Sequence, residues 1–147
     1  MDVRVLLVED DAVTAKIIEV TLKNSGNLFK FFPHRVKSLS EGQAAIDAND
    51  YDCILLDLIL PPHNIDETFE WVSVNKWDNR AVVVVMTGYD KAEVLPRMQK
   101  YDMQFLVLKN EMMEDVKSIS LILLQAINQS ILNDVKKQTS ELKRLLA

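Results

Sequence analysis

Residues 51–62 read Tyr51-Asp52-Cys53-Ile54-Leu55-Leu56-Asp57-Leu58-Ile59-Leu60-Pro61-Pro62. The run from Cys53 to Leu56 is apolar without alternation, the pattern of a strand covered on both faces of a parallel sheet. It ends in a single acid, Asp57. Pro61 and Pro62 stop the strand and stiffen the loop beside that acid. In an open α/β sheet, ligands and chemistry gather beyond the carboxyl ends of the strands. The sequence therefore predicts Asp57 at the reactive edge of a sheet.

Upstream, Val3-Arg4-Val5-Leu6-Leu7-Val8 is a first strand that runs into Glu9, Asp10 and Asp11. Ala12 to Asn24 has helical spacing through Val13, Ile17, Ile18, Thr21 and Leu22, with Gly26 as its stop. Phe29 to Lys37 is a second strand, and Pro33 assigns it to a sheet edge. Ser40 with Gln43 reads as a capping box that opens a helix through Ala44, Ala45 and Ile46. Downstream, Asp66 is the expected N-cap of a helix through Phe69, Trp71 and Val72 to Lys76. Ala81 to Met86 is the clearest strand and ends in Thr87-Gly88. A fourth helix follows Asp90, and Pro96 inside it predicts a kink or a later start. Gln104 to Leu108 is the fifth strand, ending in Lys109.

Strands and helices alternate five times. With short connections and right-handed crossovers, that order gives a parallel sheet covered on both faces. Glu9, Asp10, Asp57, Thr87 and Lys109 each stand where a strand ends, so all are expected at one sheet edge.

The final helix is too long for such a domain. From about Glu114 to Leu146 there is neither Gly nor Pro. Leu124, Ile131, Val135, Leu142 and Leu145 fall on alternating spacings of three and four, with Asn128 and Gln138 filling the seam. The expected organisation is a domain over residues 1–128 and a helical extension over 129–147. From Asp134 onward the extension projects as a coiled-coil stem, and its competitor is an amphipathic helix folded back on its own domain.

The chain has 147 residues, 48% of them apolar, and a net charge of −5. That suits one domain with a real core and gives no basic face for nucleic acid. Cys53, the lone cysteine, lies in the buried strand and reads as inert packing, which suits a reducing cytoplasm. The Ile119–Ile127 run is too short and too interrupted to span a bilayer, and no signal peptide precedes the first strand.

Transfer of a phosphoryl group to a carboxylate needs an ionised aspartate at an accessible edge. It also needs a divalent cation and fixed donors for the phosphoryl oxygens. Mg²⁺ prefers oxygen ligands and is satisfied by one or two carboxylates plus the phosphoryl group. Glu9, Asp10 and Asp57 supply the acids, Lys109 the cation and Thr87 a hydroxyl. At that point the chain resembles the response-regulator receiver domain of two-component phosphorelay signalling, from about Val3 to Asn128. VLLVEDD, YDCILLDLILP, VVVVMTG and FLVLKN carry the resemblance. It implies an α/β, flavodoxin-like (βα)5 three-layer sandwich with sheet order 2-1-3-4-5 and, here, an extended C-terminal helix. It implies Asp57 as phosphoacceptor and Thr87 and Lys109 as phosphoryl contacts. Mg²⁺ would be held by Glu9, Asp10, Asp57 and the backbone carbonyl of Ile59. It further implies a cytoplasmic signalling switch rather than an enzyme. The expected partners are a histidine kinase or histidine phosphotransfer protein, with a homodimer through the last helix and an attached output domain. Nucleic acid and membrane are not expected to touch this domain.

Several positions depart from the family pattern. Ile65 stands near a usual glycine, Asn110 replaces the proline after the lysine, and Asp102-Met103 replaces Gly-Ala. The switch aromatic should lie three residues before the lysine, which is Leu106; Phe105 could serve only through a bulge or a shifted register. His63 and His34 read as loop and structural residues, and Trp71 and Trp77 as packing or surface. An aspartyl phosphohydrolase would want an acid two residues after the nucleophile, where Ile59 stands. The alternative reading is a phosphorylation-independent, receiver-like dimerisation scaffold.

Overall fold

The computed structural model describes residues 1–25 and 28–147, so Gly26 lies outside the described residues. Five apolar runs form the strands β1 (Asp2–Val8), β2 (Lys30–Val36), β3 (Cys53–Asp57), β4 (Val82–Thr87) and β5 (Phe105–Leu108). They make one parallel sheet of order β2-β1-β3-β4-β5. β3 is central, and all five of its residues are buried, which is why its sequence does not alternate. β2 is an edge strand. Pro33 sits within it, paired with Val5, where a missing N–H faces no further strand.

Six α-helices stand among the described residues: α1 (Ala12–Lys23), α2 (Leu39–Ala48), α3 (Ile65–Val74), α4 (Lys91–Lys100), α5 (Lys109–Glu114) and α6 (Ser118–Leu146). A 3₁₀ turn covers Trp77–Asn79. Two apolar layers sandwich the sheet. Leu6, Val8, Ile54, Leu56 and Val85 face α2, α3 and α4. Val5, Leu7, Leu55, Val84 and Met86 face α1 and α6.

Local chemistry moves several expected boundaries. Ser38, not Ser40, caps α2, accepting from the Glu41 N–H at 3.2 Å. Gln43 is released from that role and accepts from the Trp77 indole N–H at 2.8 Å. Asn64, not Asp66, caps α3 in a reciprocal box with Glu67, with bonds of 2.8 and 3.1 Å. The box leaves a solvated amide, rather than a carboxylate, at the helix entry. α3 ends at Val74, because Lys76 adopts a left-handed φ of 53°. α4 runs through Pro96 to Lys100. The last helix starts at Ser118, four residues later than the expected Glu114, which instead ends the short α5. Val13 and Ile17 are exposed, and Ala15, Ile18 and Leu22 form the buried stripe of α1.

Trp77 is fully buried. A Cβ on Gly42 would lie 2.8 Å from its ring, so only glycine lets α2 sit over the indole. Asp102 has φ 57°, the left-handed conformation that glycine adopts freely and aspartate tolerates better than most residues. The described cis peptide is Pro61-Pro62, and none follows Lys109.

Candidate functional site

Four strand ends meet at the carboxyl edge of the sheet. β1 delivers Glu9 and Asp10, β3 delivers Asp57, β4 delivers Thr87, and β5 delivers Lys109 at the first residue of α5. Glu9, Asp57 and Thr87 are buried, whereas Asp10 is exposed. Lys109 reaches across the sheet: its ammonium lies 3.1 Å from Glu9 Oε2 and 3.2 Å from Asp57 Oδ2. Asp57 Oδ1 accepts the Ile59 N–H at 3.1 Å, and Glu9 Oε1 accepts the Asp11 N–H at 3.1 Å. Glu9, Asp10 and Asp57 each present a carboxylate oxygen within 4.8 Å of the others.

The charges do not balance. Burial pushes the Glu9 carboxyl up to about 7, and the neighbouring Asp57 charge adds to that against the pull of Lys109. Burial also raises Asp57, opposed by the Ile59 N–H and by Lys109. For Lys109, burial works against the charged form, but Asp57 and Glu9 outweigh it and hold the ammonium protonated. One lysine thus faces two buried acids and a third at the rim. Glu9 Oε2 receives charge from Lys109 but no aligned hydrogen bond, so it is a buried oxygen with unused acceptor capacity. A hard divalent cation taking oxygen ligands would satisfy that deficit. The donor set therefore fits such an ion.

Thr87 Oγ1 accepts the Tyr89 N–H at 3.0 Å, which leaves its proton free to donate. Ile59 and Tyr89 flank the site and are 42% and 40% exposed. Asp11 stands apart: it is the N-cap of α1, accepting from the Thr14 N–H at 3.0 Å. His63 lies against Trp71 and Glu67 on α3, and His34 bonds the Tyr51 hydroxyl at 2.6 Å. Burial pushes the Cys53 thiol up to about 12, so it is inert packing.

Phe105 does not reach the switch position. β4 and β5 pair without a bulge, Val84 opposite Phe105 and Val85 opposite Leu106. Phe105 therefore packs on the α1/α6 face, and Leu106 packs on the α4 face. An aliphatic side chain occupies the place expected of an aromatic.

Arg35 was not legible as part of the site. From β2 its guanidinium donates to the carbonyls of Glu9 at 2.9 Å and Asp10 at 3.0 Å, fixing the backbone that carries both acids. The available signal was an arginine at the carboxyl end of the strand beside β1.

The response regulator receiver domain model matches residues 5–120, and the chain belongs to that family. It is a signalling module of two-component systems rather than a classical enzyme, with the fold and acidic cluster of domains that accept a phosphoryl group and change conformation. The chain is similar to the transcription factor SKN7 of Saccharomyces cerevisiae, at 30% identity over 118 residues. That match covers 78% of this chain and only 18% of the relative. Among solved structures, the phosphorylated cyanobacterial phytochrome response regulator RcpA superposes with a TM-score of 0.68 at 22% identity, over 84% of this chain and 95% of that one. A yeast Spc42 trimeric coiled-coil segment fused to another structure superposes with a TM-score of 0.72 at 20% identity, over 99% of this chain and 90% of that one. Among the described residues, no helix is long and apolar enough to cross a membrane.

Proposed function

We propose that Asp57 is the phosphoacceptor of a cytoplasmic phosphorelay switch, loaded from the phosphohistidine of a histidine kinase or phosphotransfer protein. The observation that carries this reading is Asp57 itself: a buried carboxylate at the end of the central strand, held by Lys109 at 3.2 Å and by the Ile59 N–H at 3.1 Å. An Asp57 oxygen attacks phosphorus, the P–N bond breaks, and the imidazole leaves with the electron pair and takes a proton. Glu9, Asp10, Asp57 and the Ile59 carbonyl would hold Mg²⁺, which when bound neutralises charge on the phosphoryl oxygens. Lys109 keeps its proton throughout and turns from the Asp57 carboxylate to a phosphoryl oxygen. The free Thr87 proton donates to another.

Drawing Thr87 and Lys109 inward biases the face made by α4, β5 and α6. That face carries a groove of about 660 Å³ lined by Leu95, Met98, Leu106, Met112 and Ile122. The change would pass along α6 to a dimer partner or an attached output domain. Hydrolysis of the acyl phosphate resets the switch, and Ile59 and Tyr89 restrict the attacking water.

The test is intact-protein mass after incubation with acetyl phosphate, with and without Mg²⁺, beside Asp57→Asn. One phosphoryl group is expected on the wild type with metal and none on the variant. Equal uptake by Asp57→Asn would overturn the assignment.

A further inference from the structure

The lysine that bridges the two buried acids begins a helix. Lys109 is the first residue of α5 and follows Leu108, which is extended at φ −86° and ψ 122°. A proline at position 110, as the family pattern has it, would push the residue before it out of helical backbone. Asn110 imposes no such limit, so the cation of the site belongs to α5 and moves with it. That helix is lightly held. Asn110, Glu111, Met113 and Glu114 are exposed, and its first turn carries no side-chain cap. Its buried residue is Met112, 1% exposed. One flank is open, because Glu111 and Met112 line the groove beside α4 and β5.

Lys109 and Met112 stand three residues apart, on the same side of the helix one turn along. From that side the ammonium reaches Glu9 Oε2 at 3.1 Å and Asp57 Oδ2 at 3.2 Å. The Met112 side chain enters the core layer of Met86, Val107, Ile119 and Leu123. We infer that Met112 is a positioning residue for Lys109, fixing the turn of helix from which the ammonium bridges both acids. Lysine needs such support. It is a point charge on a flexible stem, with no planar fork to orient it against a carboxylate. Ordering that stem costs side-chain entropy, and a fixed backbone confines the ammonium to a smaller volume before the cost is met.

The inference deepens the proposed function, since it rests on Lys109 as the phosphoryl contact. Where the ammonium sits is nevertheless measurable without phosphoryl chemistry. In the metal-free whole chain, acetylation by an N-hydroxysuccinimide ester followed by peptide mapping reads Lys109 against Lys100, which is exposed. Met112→Ala is compared with Met113→Ala. Both shorten a methionine of the same short helix, but Met113 is 39% exposed, so the comparison removes helix propensity and leaves the buried contact. Lys109 should be protected in the wild type and in Met113→Ala, and should approach the Lys100 rate in Met112→Ala. Met112→Leu keeps the volume and should restore protection. Asn110→Pro leaves the core untouched and removes no helical hydrogen bond, because an N–H in the first turn has no partner within the helix. It too should expose Lys109, which keeps the test decisive if Met112→Ala does not fold.

A second readout separates positioning from general loss of structure. At saturating Mg²⁺, Met112→Ala should slow phosphoryl uptake from acetyl phosphate by up to about 100-fold, the cost of a misplaced reacting group. In a Lys109→Met background the same substitution should add nothing, because it acts through the lysine. Full protection of Lys109 in Met112→Ala or in Asn110→Pro would overturn the inference, as would an equal fall in uptake with and without the lysine. Wild-type uptake by Lys109→Met would instead remove the role given to Lys109 in the proposed function, and the acetylation result would still decide for or against Met112.

Discussion

The two ends of this molecule are misfits of opposite kinds. At the carboxyl edge of the sheet, charge is buried: Glu9 and Asp57 are 0% and 1% exposed. At the far end of α6, apolar surface is exposed, with Leu145 at 75%. The two core layers between them follow the ordinary rule of apolar inside, with single exposed apolar residues such as Val13 and Val74 on the helices. Both departures oppose stability; in the proposed function a cation and a phosphoryl group would relieve the first. Their difference also predicts how each region responds to change. The site is a cluster in which one side chain answers for several, whereas the far end of α6 is a row of separately exposed side chains.

The largest stability effect should follow loss of the one cation. Lys109→Met leaves two buried acids unpaired and should destabilise the metal-free protein by about 3 kcal/mol at neutral pH, measured by urea unfolding. Less loss is expected at pH 5, where Glu9 is protonated. A loss near zero at pH 7 would mean that the acids are already neutral. Asp134→Ala, on the exposed part of α6, should have no such effect.

Removal of the Arg35 guanidinium tests whether the acidic pair is held by its backbone. Arg35→Ala should weaken Mg²⁺ binding about 10–100-fold, the usual cost of losing a group that orients metal ligands. Calorimetric titration reads this directly, with the folded state checked by circular dichroism.

Gly42→Ala probes the ordinary interior between the two misfits. The added methyl meets the buried Trp77 ring, and a loss of about 1–3 kcal/mol is expected from overpacking.

A pH series sharpens the contrast further. The Glu9 carboxyl rises from its ordinary 4.5 to about 7 on folding. The folded chain thus binds the extra proton, and this contribution to stability is complete below about 4.5 and is lost as pH rises through about 7. Wild type without metal should lose melting temperature across that window relative to Glu9→Gln. Saturating Mg²⁺ should abolish the difference.

The smallest effect is expected at Asp102, where φ is 57°. Asp102→Gly removes the left-handed cost and should stabilise by about 1 kcal/mol. A destabilised variant would show that the aspartate has a role beyond filling the turn.

Much of this was legible in the sequence, for identifiable reasons. Strand residues that are buried on both faces leave an uninterrupted apolar run, so β3 and β4 announced themselves and placed Asp57 and Thr87. The edge position of β2 was legible from Pro33. Helix entries were not, because Ser38 and Ser40, or Asn64 and Asp66, are equally good caps in isolation. Which one serves depends on where the following helix must dock. The Phe105 register was decided by pairing to β4 and not by composition. Arg35 was invisible because its bonds go to carbonyls of another strand, and no local pattern marks them. The short α5 and the start of α6 at Ser118 were not legible, because Asp115–Lys117 between them carries no Gly or Pro.

The central claim is that one carboxylate, Asp57, takes the phosphoryl group. Borohydride reduces an aspartyl phosphate to homoserine and leaves other aspartates intact. After loading with acetyl phosphate and Mg²⁺, reduction and peptide mapping should find homoserine at position 57 alone. Homoserine at position 10, or an unreduced chain that nonetheless carries the added phosphoryl mass, would contradict the account.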